Sequence, residues 1–364
     1  MADNLRVLYA IYKLGIAPVG SESFDTIHGL QSAGMTTTFN LEQVFEIGQI
    51  AIYENIEGIP DVELTLEKVC DGWPPIITLV SQNATASSLI ARAKESCTVG
   101  VPIYSDENES ATGTPVSEVQ LSGLYVSSLG YQASVDGNCT ESVTLVGNNK
   151  IWVGHTGAGL LTGGTYDDGT NWDGSAISSN DDNPLSIGGS GGVNRREDVL
   201  FGASASYTLL PTKLPGIDSN GYNVPDSAGN FPCRVQRISM NADLGREPMF
   251  ELGRRGAYHR YATYPVEVTS EITIMSVSGD MISATEEGIY DEAGGPCGHY
   301  NLTDQTIQLA LCEGLTVNVG TKNKLSSVGV TGGDAGGGNQ EITYTYTNFN
   351  VMTITHPMDP NANF

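Results

Sequence analysis

Residues 61–69, DVELTLEKV, decide the fold class, because apolar and polar side chains alternate along them. Successive side chains of an extended chain point to opposite faces, so a half-buried strand shows this period of two residues. The apolar face consists of Val62, Leu64 and Leu66, and the polar face consists of Glu63, Thr65 and Glu67. We therefore predict a strand whose apolar face enters a β-core.

Strands are predicted on both sides of this segment. The β-rich or alternating stretches are 48–56, 124–135, 141–153, 265–277, 306–314, 315–320 and 341–355. Gly58 and Pro60 are turn residues, so we predict that 48–56 and 61–69 form a hairpin. Residues 141–153 are interpreted as a pair of strands around a Gly-Asn-Asn turn.

One helix is predicted, over residues 84–96, ATASSLIARAKES. Thr85 would cap its N-terminus, and Arg92 and Lys94 lie towards its C-terminal end, where cations are favourable. Strands and helices do not alternate regularly along the chain, which disfavours a doubly wound parallel sheet. The predicted fold class is mainly β, an antiparallel β-sandwich or barrel with one flanking α-helix.

The composition changes after Trp152. Residues 154–230 are rich in Gly, Asn, Asp and Ser, as the opening stretch GHTGAGLLTGGTYDDGTNWDGS illustrates. A long stretch of this composition in a compact domain is expected at the surface. We predict a β-core made of residues 1–153 and 231–364, with 154–230 as a long Gly/Asp/Asn-rich surface insertion.

The charge balance disfavours one class of function. The 364 residues include 17 Lys or Arg and 42 Asp or Glu, which gives a formal net charge of −25 at pH 7. Nucleic-acid-binding proteins usually carry a basic footprint, so specific binding of DNA or RNA is not expected. The six cysteines are scattered without a CxxC pair, which favours buried thiols and leaves individual disulfides open.

No stretch carries a convincing signature of a catalytic, cofactor-binding or metal-binding site. A GxSxG match centres on Ser190, but it lies in a glycine-rich run without the strand and helix of a nucleophile elbow. The five histidines lack zinc-ligand spacing. The acidic pairs at 167–168 and 181–182 fit no EF-hand loop. We predict a protein without enzymatic activity and without a cofactor.

Arginine is concentrated in residues 234–260, which hold six of the 17 cations. Arginine can pair with a carboxylate through two parallel hydrogen bonds, which suits a contact surface between proteins. The alternative is pairing within the chain, with Glu247 and Glu251 as nearby partners. The sequence leaves both interpretations open.

Three segments resemble the tail tube proteins of bacteriophages, namely 48–74 (GQIAIYENIEGIPDVELTLEKVCDGWP), 124–152 and 238–276. Together they cover 95 of the 364 residues, about a quarter of the chain. The resemblance extends to the tubes of contractile tails and, more distantly, to the tube protein of type VI secretion. It implies a β-sandwich subunit that forms hexameric rings, stacked into a hollow tube through which viral DNA passes at ejection. Many tube subunits are about half as long as this chain.

The resemblance also implies a location and partners. The protein would belong to the virion tail and assemble in the host cytoplasm, with further copies of itself as the main partner. Tail sheath, tail terminator and baseplate proteins are the other implied partners, and DNA would pass without specific binding or any membrane insertion. The alternative is another virion structural protein, or a host-adhesion β-sandwich that binds glycans, for which Trp172 is the hint.

Two groups of residues become candidates for assembly functions under this interpretation. Glu63 and Glu67 are expected to face the lumen, where their carboxylates would repel DNA phosphates. Arg254, Arg255 and Arg260 are expected at an interface between subunits, with at least one of them paired to a carboxylate of a neighbour. The insertion is expected on the outer wall or between stacked rings.

Overall fold

The computed structural model describes residues 7–19, 24–48, 50, 52–105, 117–154, 177–178, 192–253, 256–276, 303–332 and 339–359. The strands are β1 Gly15–Pro18, β2 Phe24–Thr26, β3 Leu30–Thr38, β4 Leu41–Phe45, β5 Ile52–Glu57, β6 Asp61–Val69, β7 Ser96–Ile103, β8 Ser117–Ser134, β9 Thr140–Gly147, β10 Asn149–Gly154, β11 Ile177–Ser178, β12 Val235–Asp243, β13 Arg246–Met249, β14 His259–Ala262, β15 Glu267–Met275, β16 Gln308–Ala310, β17 Thr316–Asn318, β18 Lys324–Thr331, β19 Glu341–Phe349 and β20 Thr353–Thr355. The helices are α1 Ile76–Val80 and α2 Leu89–Arg92, with 3-10 turns at Tyr9–Ile11 and Arg196–Asp198.

The largest sheet is organised around the long strand β8. The first half of β8 pairs with β7 and β10, and its second half pairs with β9 and β12. Eight strands follow one another in the order β3–β6–β9–β8–β12–β15–β19–β18, and every neighbouring pair is antiparallel. We call these eight strands the central sheet. From β7 the pairing continues through β1 and β2 to β11.

One face of the central sheet forms the hydrophobic core. Five side chains that lie side by side in register are each at most 2% exposed: Leu66, Val143, Leu129, Ala242 and Val268. Full burial of a large aliphatic side chain stabilises the fold by roughly 1.5–3 kcal/mol. Strands β16, β17 and β20 form a small separate sheet, and Leu309, Val317 and Ile354 from it join the same apolar cluster. The predicted mainly β, antiparallel fold class is confirmed.

The predicted strand at Asp61–Val69 is confirmed, but its predicted hairpin partner is wrong. Strand β6 pairs with β3 and β9, whereas β5 pairs with β4. The β3–β6 and β4–β5 pairs belong to one long hairpin. Between the two pairs, the Gly58 backbone N–H donates a hydrogen bond to Asn40 O at 2.6 Å. Gly58 and Pro60 therefore mark an interruption between two consecutive strands, not a reversal of the chain.

The predicted strand pair within 141–153 is also corrected. Strands β9 and β10 do not pair with each other, since both lie along the same partner, β8. Asn148 sits between them, and its Nδ2 donates to Pro60 O at 2.9 Å and to Asp61 Oδ1 at 3.2 Å. The Gly-Asn-Asn sequence is consequently a bend that carries the chain onwards along β8.

The helix predicted over 84–96 is much shorter in the structure. Helix α2 spans Leu89–Arg92 only, and its N-cap is Ser88, whose Oγ accepts from the Ala91 N–H at 3.4 Å, not Thr85. Strand β7 begins at Ser96 and pairs with β1 and β8. The hydrogen bonds of the sheet therefore end the helical segment earlier than helix propensity alone predicts. Helix α1 was not predicted, and it begins directly after Pro75.

Part of the predicted insertion contributes to the core. Residues 155–176 and 179–191 lie outside the described ranges, but 192–230 are described. Leu210 and Leu214 are at most 2% exposed and belong to the main apolar cluster. The domain boundaries proposed from composition stay a prediction. Among the described cysteines, Cys70, Cys97, Cys139, Cys233 and Cys312 are all free thiols, and all except Cys312 are buried.

Candidate functional site

The outer face of the central sheet, opposite the core, is predominantly polar, with Val146, Met275 and Phe349 as apolar exceptions. On β6 it presents Glu63, Thr65 and Glu67, which are exposed, as the alternation in the sequence predicts. The register extends this pattern sideways through one continuous row of eight neighbours: Ser32, Glu67, Ser142, Gly130, Asn241, Thr269, Thr347 and Lys324. Because directly opposed residues of antiparallel strands share a face, these residues form one surface. We call it the polar face.

Carboxylates outnumber cations on the polar face. In the neighbouring row on one side, Asp243 lies directly opposite Glu267. In the neighbouring row on the other side, Glu271 takes the place that Thr269 has in the first row. Together with Asp61, Glu63 and Glu67 on β6 and Glu341 on β19 this makes seven carboxylates, whereas the cations placed there by the register are Lys324 and Arg237. Threonine fills many remaining positions, as expected for β-branched residues on a solvated sheet. The face is therefore hydrophilic and acidic, a surface that phosphate groups do not favour.

A shallow depression of about 250 Å³ lies in the middle of the polar face. Gly130 forms its floor, and a Cβ atom there would lie 2.6 Å from Asn241 Oδ1 and 2.8 Å from Ser142 Oγ. Glycine is thus required for the two polar side chains to approach. Most of the side chains that line it carry hydroxyl, amide or carboxylate groups, and the depression is wide open to solvent, so it does not enclose a small-molecule ligand.

The central sheet has two open edges. Within the described residues, β3 pairs with β6 alone and β18 pairs with β19 alone. Each edge ladder contains one irregularity, between Leu30 and Ser32 in β3 and between Leu325 and Ser327 in β18. An open edge presents unpaired backbone groups that can pair with another chain. Both edges are consequently able to bind a further strand.

A second exposed feature is the β4–β5 hairpin at residues 41–57, which we call the arm. All six residues of β5 are exposed, and so are four of the five residues of β4. Five of its large apolar side chains are at least 60% exposed: Leu41, Phe45, Ile47, Ile50 and Tyr53. Exposed apolar surface of this extent is typical of a protein–protein contact.

The predicted arginine sites are only partly described. Arg254 and Arg255 lie outside the described residues. Arg260 is buried, and its guanidinium forms an ion pair with Asp61 and donates from Nε to Asn148 Oδ1 at 3.1 Å. This is the intrachain alternative, but the partner is neither Glu247 nor Glu251. The placement of these arginines at a subunit interface stays a prediction.

A buried cluster of ionisable groups surrounds a small cavity of about 10 Å³ near α1. The Lys68 Nζ lies 2.7 Å from Asp71 Oδ1, and Glu141 accepts from the backbone N–H groups of Ile76 and Ile77 at 2.6 and 3.2 Å. Burial raises the pKa of Glu141, while these two hydrogen bonds oppose the rise. The cavity holds no more than about one water molecule. The cluster therefore anchors α1 and offers no room for a substrate.

Other candidates from the sequence fall outside the described residues. These are Ser190, Trp172 and the acidic pairs at 167–168 and 181–182. Among the residues that the structure does describe, no group of three or more His, Cys, Asp or Glu side chains could hold a metal ion. In the same ranges, no helix is long and apolar enough to cross a membrane.

Sequence analysis missed the arm and the open edges. The sequence contains a stretch of large apolar residues at 41–56. Whether these residues are exposed depends on whether another layer of the fold covers them, and a local sequence pattern does not determine this. The open edges follow from the order of strands in the sheet. That order depends on contacts between residues far apart in the chain.

Comparison with known proteins gives a faint structural likeness. No protein-family model matches the chain, and no curated protein matches its sequence. It is similar to a chain of the PVC sheath–tube complex of an extracellular contractile injection system in its extended state, with 11% identity and a TM-score of 0.32. It is also similar to a chain of the anti-feeding prophage baseplate (12% identity, TM-score 0.31) and to a chain of the cap that terminates the tube of that prophage (17%, 0.29). Each match covers 42% of this chain and 95–99% of the other, and at these TM-scores the likeness carries no argument about function.

Proposed function

We propose that this protein is a major tail tube subunit, which forms closed rings that stack into a conduit for viral DNA. The observation that carries the proposal is the central sheet, with an acidic, hydroxyl-rich face and an open strand at each edge. Six copies per ring is the number implied by the sequence resemblance to phage tube proteins. The partners remain those of that interpretation, namely further copies and the sheath, terminator and baseplate proteins.

The number of strands in the central sheet sets the direction of the proposed contact between copies. Eight antiparallel strands lead from β3 to β18, so these two edge strands run in opposite directions. Rotation about a ring axis preserves strand direction, so β18 of one copy meets β3 of the next copy in an antiparallel pair. Such a head-to-tail contact forms a ring where the rotation between copies closes, and closure then pairs both edges of the central sheet.

The polar face is the side of the sheet that we assign to the lumen. Among the described residues, the opposite face is buried in the core of each subunit, so the polar face is the side of the central sheet that is exposed. Carboxylates there, including Glu63 and Glu67, repel phosphates and limit adhesion of DNA in transit. Hydroxyl groups keep the wall hydrated without adding positive charge.

Hydrogen exchange combined with electron microscopy tests this proposal. Images of the assembled protein are expected to show rings with a central pore. Backbone amides of β3 and β18 should exchange more slowly in the assembly than in the monomer, whereas those of the central strand β15 are protected in both. Compact monomers at all concentrations, or assembly that leaves both edges unprotected, would contradict the proposal.

A further inference from the structure

A groove at one end of the central sheet combines an apolar floor with a cationic rim. The floor is formed by Val199, Phe201 and Val235, which are half-buried, and Phe231 stands beside Phe201 at 5.5 Å between ring centroids. The open cavity beside Phe201 and Phe231 measures about 300 Å³ and is also lined by Asn223, Asn230 and Arg234, whereas the more apolar part of the groove at Val199 measures about 40 Å³. The larger volume is sufficient for a side chain from another protein segment, with apolar contacts on one side and polar groups on the other.

Three arginines line the groove, in a chain that carries only 17 cations: Arg196, Arg234 and Arg237. All three are exposed. Arg196 lies 3.9 Å from Glu197, with both side chains about two thirds exposed, and Arg237 donates to Gln132 Oε1 at 2.7 Å. An exposed pair of this kind contributes little, so it does not compete strongly with a new carboxylate. We call this site the arginine groove.

The arm has the complementary composition. Residues 39–60 contain four glutamates, Glu42, Glu46, Glu54 and Glu57, and no Lys or Arg. Three of the five register pairs of the arm place a glutamate opposite an apolar residue: Leu41 with Glu57, Glu42 with Ile56, and Val44 with Glu54. Both faces of the arm therefore carry apolar and acidic groups side by side. The arginine groove offers apolar and basic groups in the same close association.

We propose that the arm of one copy binds in the arginine groove of another copy. The proposal rests on the proposed function, and it adds a second contact between copies besides the sheet edges. Apolar side chains of the arm would fill the floor beside Phe201, and its glutamates would pair with the arginines of the rim. Complementary charge of this kind fixes the partner and the register of a contact. The strands of the arm rise about 3.3 Å per residue, so β4 extends it by roughly 15 Å.

Charge reversal on each side tests the contact. Glu42→Lys with Glu54→Lys forms the arm variant, and Arg234→Glu with Arg237→Glu forms the groove variant. All four side chains are exposed, so each variant should keep the wild-type circular dichroism spectrum. Each variant should need at least about tenfold more protein to assemble in sedimentation velocity, because like charges then face each other. Lys213→Glu, an exposed reversal outside the groove, is the matched control and should assemble like the wild type.

Combining the variants distinguishes a contact between copies from one within a chain. A mixture of the arm variant and the groove variant should assemble. The lysines in the arm of one variant then meet the glutamates in the groove of the other, and the remaining arm and groove are the unchanged pair. The quadruple variant should assemble as well. Rescue in the quadruple variant without rescue in the mixture would show that the arm binds its own chain, and this would overturn the proposal.

The same samples separate this inference from the proposed function. If the wild type forms rings with a pore and both variants assemble equally well, the arm–groove contact is wrong and the ring proposal stands. If the variants fail and the mixture recovers, but micrographs show aggregates without a pore, the contact stands and the ring proposal is wrong. A wild type that stays monomeric at every concentration contradicts both.

Discussion

Arg92 and Asp359 form a buried ion pair, although 267 positions separate them in the sequence. The side chains are 0% and 4% exposed, respectively. The guanidinium also donates to Ser81 Oγ at 2.8 Å and to Ile354 O at 3.3 Å. The pair thereby fastens α2 to the last strand and to the segment that follows it.

Replacement of Arg92 should be strongly destabilising. Arg92→Met leaves the Asp359 carboxylate buried without its cation, and breaking a buried pair on one side typically costs ~3–5 kcal/mol. Chemical denaturation should show this loss in the free energy of unfolding. Arg92→Met combined with Asp359→Leu removes both charges and is expected to recover most of the loss. Equal stability of the single variant and the wild type would contradict the importance of the pair.

A pH dependence of stability is expected from Glu313. Burial raises the pKa of Glu313 to about 7, with the Asp198 charge adding to the effect. Between about pH 4.5 and 7 the folded protein therefore keeps a proton that the unfolded chain has lost. The free energy of unfolding should fall as the pH rises through this window. Glu313→Gln should remove this fall, so the variant gains stability over the wild type towards pH 8.

His356 should act in the opposite direction. Burial lowers the pKa of His356 to about 4, so its protonation favours the unfolded chain as the pH falls from about 6.5 to 4. His356→Gln should flatten this acid limb while leaving the stability above pH 7 unchanged. Thermal melts at half-unit pH intervals for the wild type and both variants would separate the two effects. A His356→Gln profile that coincides with the wild type below pH 6 would contradict the assignment.

Reversing charge on the polar face should slow the passage of DNA through the tube without affecting assembly. Glu63→Lys with Glu67→Lys changes two exposed side chains that make no contribution to the core. The variant tubes should retain DNA at low salt and release it as the salt concentration rises, because phosphate contacts depend on counterions. Glu63→Gln with Glu67→Gln is the matched control and should show a smaller effect. Unchanged DNA ejection in particles of normal yield would exclude an electrostatic role for these residues.

Arg260 is expected to stabilise the subunit itself. Its guanidinium forms an ion pair with Asp61 at the start of β6 and donates hydrogen bonds to Asn148 between β9 and β10. Arg260→Ala therefore removes interactions that connect its own strand to β6 and to the segment between β9 and β10. Loss of hydrogen bonds to a charged group typically costs ~1.5–3 kcal/mol, and the melting temperature should fall accordingly. Lys213→Ala, at an exposed cation outside the arginine groove, is the control for loss of one charge. A normal melting temperature together with impaired assembly would instead favour a role of Arg260 between subunits.

Much of the fold class could be predicted from local patterns. Alternation in β6 and β19 was clear because each strand has one buried and one exposed face, and the burial of Leu64 and Tyr344 follows it. The acidic character of the candidate site was equally visible, since Glu63 and Glu67 repeat with the strand period. Such features depend on residues that are neighbours in the sequence, so they can be predicted from the sequence alone.

Only the tertiary structure decided which strands pair and which surfaces stay open. Strand β5 has the sequence of a partner for β6, yet β3 occupies that position because its residues align Ala33 with Leu66 and Met35 with Leu64 in the core register. The arginine groove joins residues 196–201 to 231–237, and the Arg260–Asp61 pair spans 199 positions. These relationships depend on packing between segments remote in sequence. Since many remote pairings satisfy the same local alternation, only the complete set of contacts selects one.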